Sequence, residues 1–332
     1  MSRDRISEVV VEDDLRLKHM PISFFAIVLG MVGFTLAVQK AEHIYHIDYG
    51  ISTVLLYITL LITAVISVMY LLKGVFYPRE IQAEFHNPIK INFFPIFAKV
   101  FLIYSVIFLD RSLIVSRYLW IVGAGLQFLF SIVIVSAWLN RDRFEIKHLN
   151  PAWFIPIVGN LIVPIAGVRH GFSEVSWFFF SIGVIFWLSL FIVILYRVFF
   201  HTPIPEKLVP TLFILFAPPA IGFISWVKLN GLTEFDAVGR IMLYFSLFMF
   251  VLVFAQAKKF LNIRFYLSWW AYTFPTAAIS IASMLAFHMT GGTHFKYLAI
   301  VQLVILAVII LILLFKTVVE IINQRICIYE EE

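Results

Sequence analysis

Ten apolar runs, each close to 20 residues, follow one another along the chain with short polar breaks between them. They cover about 20–38, 51–73, 93–109, 117–139, 152–168, 175–200, 208–227, 238–257, 267–288 and 297–317. A helix needs about 20 residues to cross roughly 30 Å of hydrocarbon. The pattern therefore predicts an all-α integral membrane protein of ten transmembrane helices. Short connections make successive helices antiparallel hairpins. No stretch rich in Pro, Gly or Ser divides them, so one membrane domain is expected over 20–317, with tails at 1–19 and 318–332. The first run, Pro21 to Val38, follows a charged segment and ends at Gln39-Lys40 without a small-residue cleavage site. It reads as a retained helix rather than a signal peptide.

Proline divides the ten runs into two kinds. The odd runs contain Pro21; Pro95; Pro156 and Pro164; Pro210, Pro218 and Pro219; and Pro275, whereas the even runs have none. Proline removes a helix hydrogen bond and kinks the chain. In lipid such a site survives only where neighbours or water satisfy the freed groups. Kinked odd helices are therefore expected inside and straight even helices outside, as five hairpins around a central axis.

Composition reinforces this reading. The chain of 332 residues is 62% hydrophobic and 14% charged, with mean hydropathy +0.96. A soluble domain is about half apolar and a quarter charged. Phe supplies 36 residues, more than interfacial belts of Trp and Tyr explain. The net charge of +5 would suggest nucleic acid in a soluble protein, but here the cations flank apolar runs, and no nucleic-acid partner is expected. Of the 25 Lys and Arg, 17 fall on the N-terminal side of the membrane, 7 on the other, and Lys99 within a run. The positive-inside rule then places both termini in the cytoplasm of a cell (inner) membrane. Cys327 is the only cysteine, which excludes an intrachain disulfide and a cysteine metal site.

Most enzyme chemistry has no residues to carry it. No acidic residue lies deep in a run, there is no HExxH and no P-loop, and the nine histidines sit at helix ends or in loops. No cofactor or metal is expected; haem would require His pairs within helices. Lys99 is the one basic residue well inside a run, and an intramembrane charge is a functional candidate by default. It lies about two turns from the helix start, a distance that favours snorkelling of its long stem to the surface. What remains is a pore or carrier with an uncharged, aromatic lining, closed by apolar constriction.

The ninth run reads Ser268-Trp269-Trp270-Ala271-Tyr272-Thr273-Phe274-Pro275. This resembles the W-W-x-Y-T-F-P signature of the tellurite-resistance/dicarboxylate transporter family, which includes the slow-type anion channels of plant guard cells and bacterial relatives. Pro21 to Gly30 is similar to its P-x-x-x-F-x-x-x-x-G first helix, Val158-Gly159-Asn160 to the V-G-N of its fifth, and Phe216-Ala217-Pro218-Pro219 to the A-P stretch of its seventh. The resemblance implies five hairpins with quasi-fivefold symmetry around a pore, a homotrimer with one pore per subunit, and a gate at Phe274. With Pro95 from the proline pattern and Lys99 from its place within a run, the pore-lining candidates are Phe25, Pro95, Lys99, Val158, Asn160, Phe216, Pro219 and Pro275. The implied function is passive conduction of small monovalent anions, chloride and nitrate. The alternative is a secondary carrier for C4-dicarboxylates or the tellurite oxyanion. A carrier shows fixed cations at mid-depth, and apart from Lys99 none is present.

Overall fold

Each odd-numbered span begins as a tight 3₁₀ segment and converts to α-helix part-way across. This is seen in a computed structural model that describes residues 16–47, 49–140 and 144–327 (for Leu261, the backbone alone). The 3₁₀ segments are Ile22–Phe24, Lys90–Phe93, Pro151–Phe154, Glu206–Phe216 and Leu267–Tyr272. They lead into α1 (Phe25–Tyr45), α3 (Ile96–Phe108), α5 (Ile155–Gly167), α7 (Ala217–Asn230) and α9 (Thr273–Thr290). The even spans are unbroken: α2 (Ile51–Phe76), α4 (Leu113–Asn140), α6 (Ser173–Phe200), α8 (Ala237–Phe254) and α10 (Thr293–Ile322). Among the described residues there is no strand, as expected where lipid leaves every backbone group to be satisfied within its own segment.

The prolines explain the switch, and they correct the expectation of kinks. Pro95 caps α3, Pro156 and Pro218 lie in the first two positions of α5 and α7, and Pro275 is in the first turn of α9. In a first turn the missing N–H has no intrahelical partner to lose, so proline costs little there. Pro218 and Pro219 withhold the donors that would carry an α ladder back to Ile214 and Leu215, and the preceding segment stays 3₁₀. Pro164, inside α5, is the exception.

The inner and outer helices separate as the proline pattern predicts. In four odd spans 72–94% of the most apolar window is buried, against 22–33% in the five even spans. Within the odd set, α1 packs on α3, α3 on α5, α5 on α7, α7 on α9, and α9 back on α1, closing a ring. Each even helix lies against its odd hairpin partner on the outside and turns residues such as Leu61, Ile192 and Leu311 outwards, towards lipid. The repeat is metric as well as topological: α4 crosses α3 with Gly123 over Leu102, and α6 crosses α5 with Gly183 over Leu161.

Two ends differ from the hydrophobic pattern. Helix α1 runs to Tyr45 rather than stopping near 38, because Gln39 donates to the Ile107 carbonyl (3.1 Å) and Lys40 pairs with Asp110 (3.3 Å). On the opposite side, Pro78–His86 forms a short helix that brings Glu84 to Lys73 (3.0 Å). The Lys73 ammonium also donates to the Met20 carbonyl (2.8 Å), tying the entry of α1 to the end of α2. Of the cations counted for orientation, Arg3, Arg5, Arg141 and Arg143 lie outside the described residues, as do most of the N-terminal tail and the last five residues.

Candidate pore

The contacts of α3 show which face each inner helix turns to the axis. Phe97 stacks towards Tyr70 of α2 (6.3 Å between ring centroids), and Tyr104 shares a hydrogen bond with Thr63 of α2 (2.7 Å). Leu102 meets Gly123 of α4, and the Ser105 carbonyl accepts from Ser116 of the same helix (2.7 Å). Residues advance about 100° each around an α-helix. With both outer neighbours accounted for, the stripe Lys99, Ile103, Val106 and Asp110 is left facing inwards.

Lys228, near the end of α7, lies within electrostatic range of Lys40 on α1, of Asp110 in the turn after α3 and of Arg169 in the turn after α5. In the ring α7 packs on α5 and α9, while the charges that act on Lys228 come also from α1 and the end of α3. Stepping back from these residues gives the other inward stripes: Leu29, Gly33 and Leu36 on α1; Val158, Ile162 and Ile165 on α5; Ala217, Ile221 and Ile224 on α7. The shift that carries Leu102 onto Leu161 also carries Lys99 onto Val158 and Asp110 onto Arg169. Apart from Lys99 these stripes are aliphatic, and they end in three cations and one carboxylate. The side chains of these stripes are almost all buried.

The ninth-span signature holds the last wall of the ring. Trp270 is buried and donates to Thr317 of α10 (3.0 Å). The Thr273 hydroxyl donates back to the Trp270 carbonyl (2.6 Å) and that of Thr276 to the Tyr272 carbonyl (2.7 Å), bracing the 3₁₀-to-α step. Trp269 donates to the Arg264 carbonyl (3.0 Å) and takes the Lys316 ammonium over its ring (5.5 Å). Two glycines of α1 receive this segment. A Cβ on Gly30 would stand 2.9 Å from the Trp270 ring and closer still to the Thr273 hydroxyl; one on Gly33 would stand 3.2 Å from the Phe274 ring. The half-buried Phe274 ring thus lies on the glycine gap of the α1 lumen stripe.

The sequence profile of the SLAC1 voltage-dependent anion channel family matches residues 19–318. The chain belongs to this family. It is 30% identical over 294 residues to the S-type anion channel SLAH2 of Arabidopsis thaliana, covering 86% of this chain and 56% of the plant protein. An uncharacterized transporter of Methanocaldococcus jannaschii is 26% identical over 310 residues, covering 85% and 89%. A tellurite resistance protein TehA homolog of Haemophilus influenzae is 25% identical over 278 residues, covering 81% and 82%. The chain spans about half the length of SLAH2 and of the plant channels SLAH3 and SLAC1 that it also matches. The relatives named in this family are anion channels, an uncharacterized transporter and a tellurite resistance protein homolog.

Within this fold the residues marked from sequence fall into three groups. Val158 and Lys99 lie on inward stripes, and Phe274 lies beside one. Pro95, Pro219 and Pro275 are buried at the 3₁₀-to-α junctions. The remaining three turn towards neighbouring helices. Phe25 packs between Phe97 (3.9 Å) and Tyr70 (5.6 Å), and Asn160 donates to Ser131 of α4 (3.0 Å). Phe216 stacks on Phe250 (5.4 Å) while its carbonyl accepts from Ser246 of α8 (2.7 Å). Lys99 does not snorkel: it is 2% exposed. Sequence reasoning passed over Gly33 and the mouth residues Lys40, Asp110, Arg169 and Lys228. The charges stand at helix ends, where they read only as markers of topology.

Proposed function

We propose that the ring of inner helices is a passive channel for small monovalent anions such as chloride and nitrate, with Phe274 as its gate. The observation that carries this reading is the set of inward stripes that converge on a mouth of Lys40, Arg169 and Lys228. The aliphatic lumen beyond it provides few groups to replace a hydration shell, so it suits anions that dehydrate easily. Phe274, held at the braced step in α9 and bedded on Gly33, is placed to plug this lumen; an apolar plug stops ions by blocking and dewetting. The rest of the assignment follows the family: a membrane domain over 20–317, both termini cytoplasmic in the cell membrane, and a homotrimer with a pore in each subunit.

A carrier for C4-dicarboxylates or tellurite is the second reading, favoured by the name of the Haemophilus influenzae relative and by a cation at mid-depth. Purified protein in liposomes separates the two. With voltage clamped and no pH gradient, a channel passes chloride and nitrate down their electrochemical gradient. Flux that appears only with a proton gradient, or only with dicarboxylate, supports the carrier.

A further inference from the structure

Lys99 is a basic side chain buried on the inward, otherwise aliphatic stripe of α3. It is 2% exposed, no hydrogen bond or ion pair reaches its ammonium among the described residues, and no charged neighbour acts on it. Nor is its nitrogen among the sealed polar atoms that lack a partner, so part of its surface stays open. Compare Lys73, equally buried, whose ammonium has both the Glu84 carboxylate and the Met20 carbonyl. A charge taken out of water without a partner is costly unless a counter-ion compensates it. On the α3 stripe nothing else supplies one. The next residues towards the mouth are Ile103 and Val106, and the matching position on α5 is Val158.

We infer that Lys99 is a fixed cationic binding site, inside the lumen, for one small monovalent anion. The proposal rests on the reading of the ring as a pore and narrows its substrate class. The stripes place a single cation at this depth, so a dicarboxylate would leave its second charge against aliphatic side chains. The aliphatic surroundings offer no donors to replace a tightly held hydration shell. Weakly hydrated anions such as thiocyanate, iodide and nitrate should therefore bind better than chloride, and fluoride or sulfate should bind least.

Binding can be measured without conduction. Detergent-purified protein is heated at fixed ionic strength while gluconate is replaced by thiocyanate or nitrate. A bound anion raises the thermal midpoint in a saturable way. Wild type and Lys99→Arg should show the rise, and Lys99→Met should lose it while being more stable than wild type in gluconate, since its buried charge is gone. If Lys99→Met folds poorly, Lys99→Gln serves as the neutral variant. An unchanged anion-dependent rise in the neutral variant overturns the site. The same pair is then compared for flux in a Phe274→Ala background. Loss of anion-over-cation preference with Lys99→Met supports the site, and equal preference counts against it. Anion binding that depends on Lys99 but is accompanied by no flux in any variant preserves the site and instead refutes the channel.

Discussion

Gly30→Ala tests whether α1 and the α9 signature are fitted to each other as described. An added methyl would meet the Thr273 hydroxyl well inside contact distance, the Trp270 ring at 2.9 Å and Thr273 Cβ at 3.1 Å. None of these can step aside freely. Trp270 is fixed by its bond to Thr317, and Thr273 by its bond to the Trp270 carbonyl. Overpacking of this kind costs about 1–3 kcal/mol, and releasing the threonine bond costs about 1 kcal/mol more. Replacing a helical glycine by alanine returns roughly 0.5–1 kcal/mol. The net loss is about 2 kcal/mol, which lowers a thermal midpoint by roughly 4–8 °C in a large domain. Differential scanning fluorimetry of the purified variant reads this directly. The double variant Gly30→Ala/Thr273→Ala removes the worst contact and should recover part of the loss, whereas the two single changes would simply add if the residues did not touch. A Gly30→Ala protein as stable as wild type would refute the close approach of α9 to α1.

The mouth charges act at a distance, so their effect should depend on salt. Lys228→Met should lower anion conductance several-fold near 10 mM salt and little near 1 M, where screening falls to about 3 Å; equal losses at both concentrations would mean the residue acts otherwise. Orientation can be read by thiol labelling, with allowance for the local chemistry. Burial, against the opposing pull of Lys73 and Arg16, pushes the Cys327 thiol up to about 11. The thiolate is the reactive form, so at pH 7 Cys327 should react slowly even in detergent and about tenfold faster for each unit of higher pH. A cysteine placed at exposed Lys258 in a Cys327→Ser background should then resist impermeant reagents in intact cells, and rapid labelling would invert the proposed topology.

Much of the architecture is readable without a structure because lipid imposes strict terms. Run lengths give the ten spans, and proline separates inner from outer because only inner helices need an interrupted ladder. The same prolines mislead in detail. A missing donor suggests a kink, yet a 3₁₀ segment leading into a first-turn proline solves the same problem without bending. The site is less legible. Asn160 and Phe216 sit in motifs that resemble the family, but a motif does not say whether a residue serves the lumen or a seam. Asn160 braces α5 to α4, where Gln127 also reaches the Pro156 carbonyl (2.6 Å) through the gap left by Gly159. Helical phase decides such questions, and it becomes readable only once contacts such as Gly123 with Leu102 fix the rotation of each helix. Gly33 gave no signal at all, since a glycine in an apolar run has no chemistry until the ring opposite it is seen.

The central claim is that Phe274 closes an otherwise conductive ring, and Phe274→Ala in planar bilayers tests it most directly. A half-buried ring projecting towards a lumen should cost less than the about 3–5 kcal/mol lost when a core phenylalanine is truncated. The variant should therefore stay well folded, as a control Phe287→Ala at the other end of α9 should also. Phe274→Ala should then pass chloride and nitrate far faster than wild type, with the control unchanged. A well-folded Phe274→Ala protein whose conductance does not rise would contradict the account.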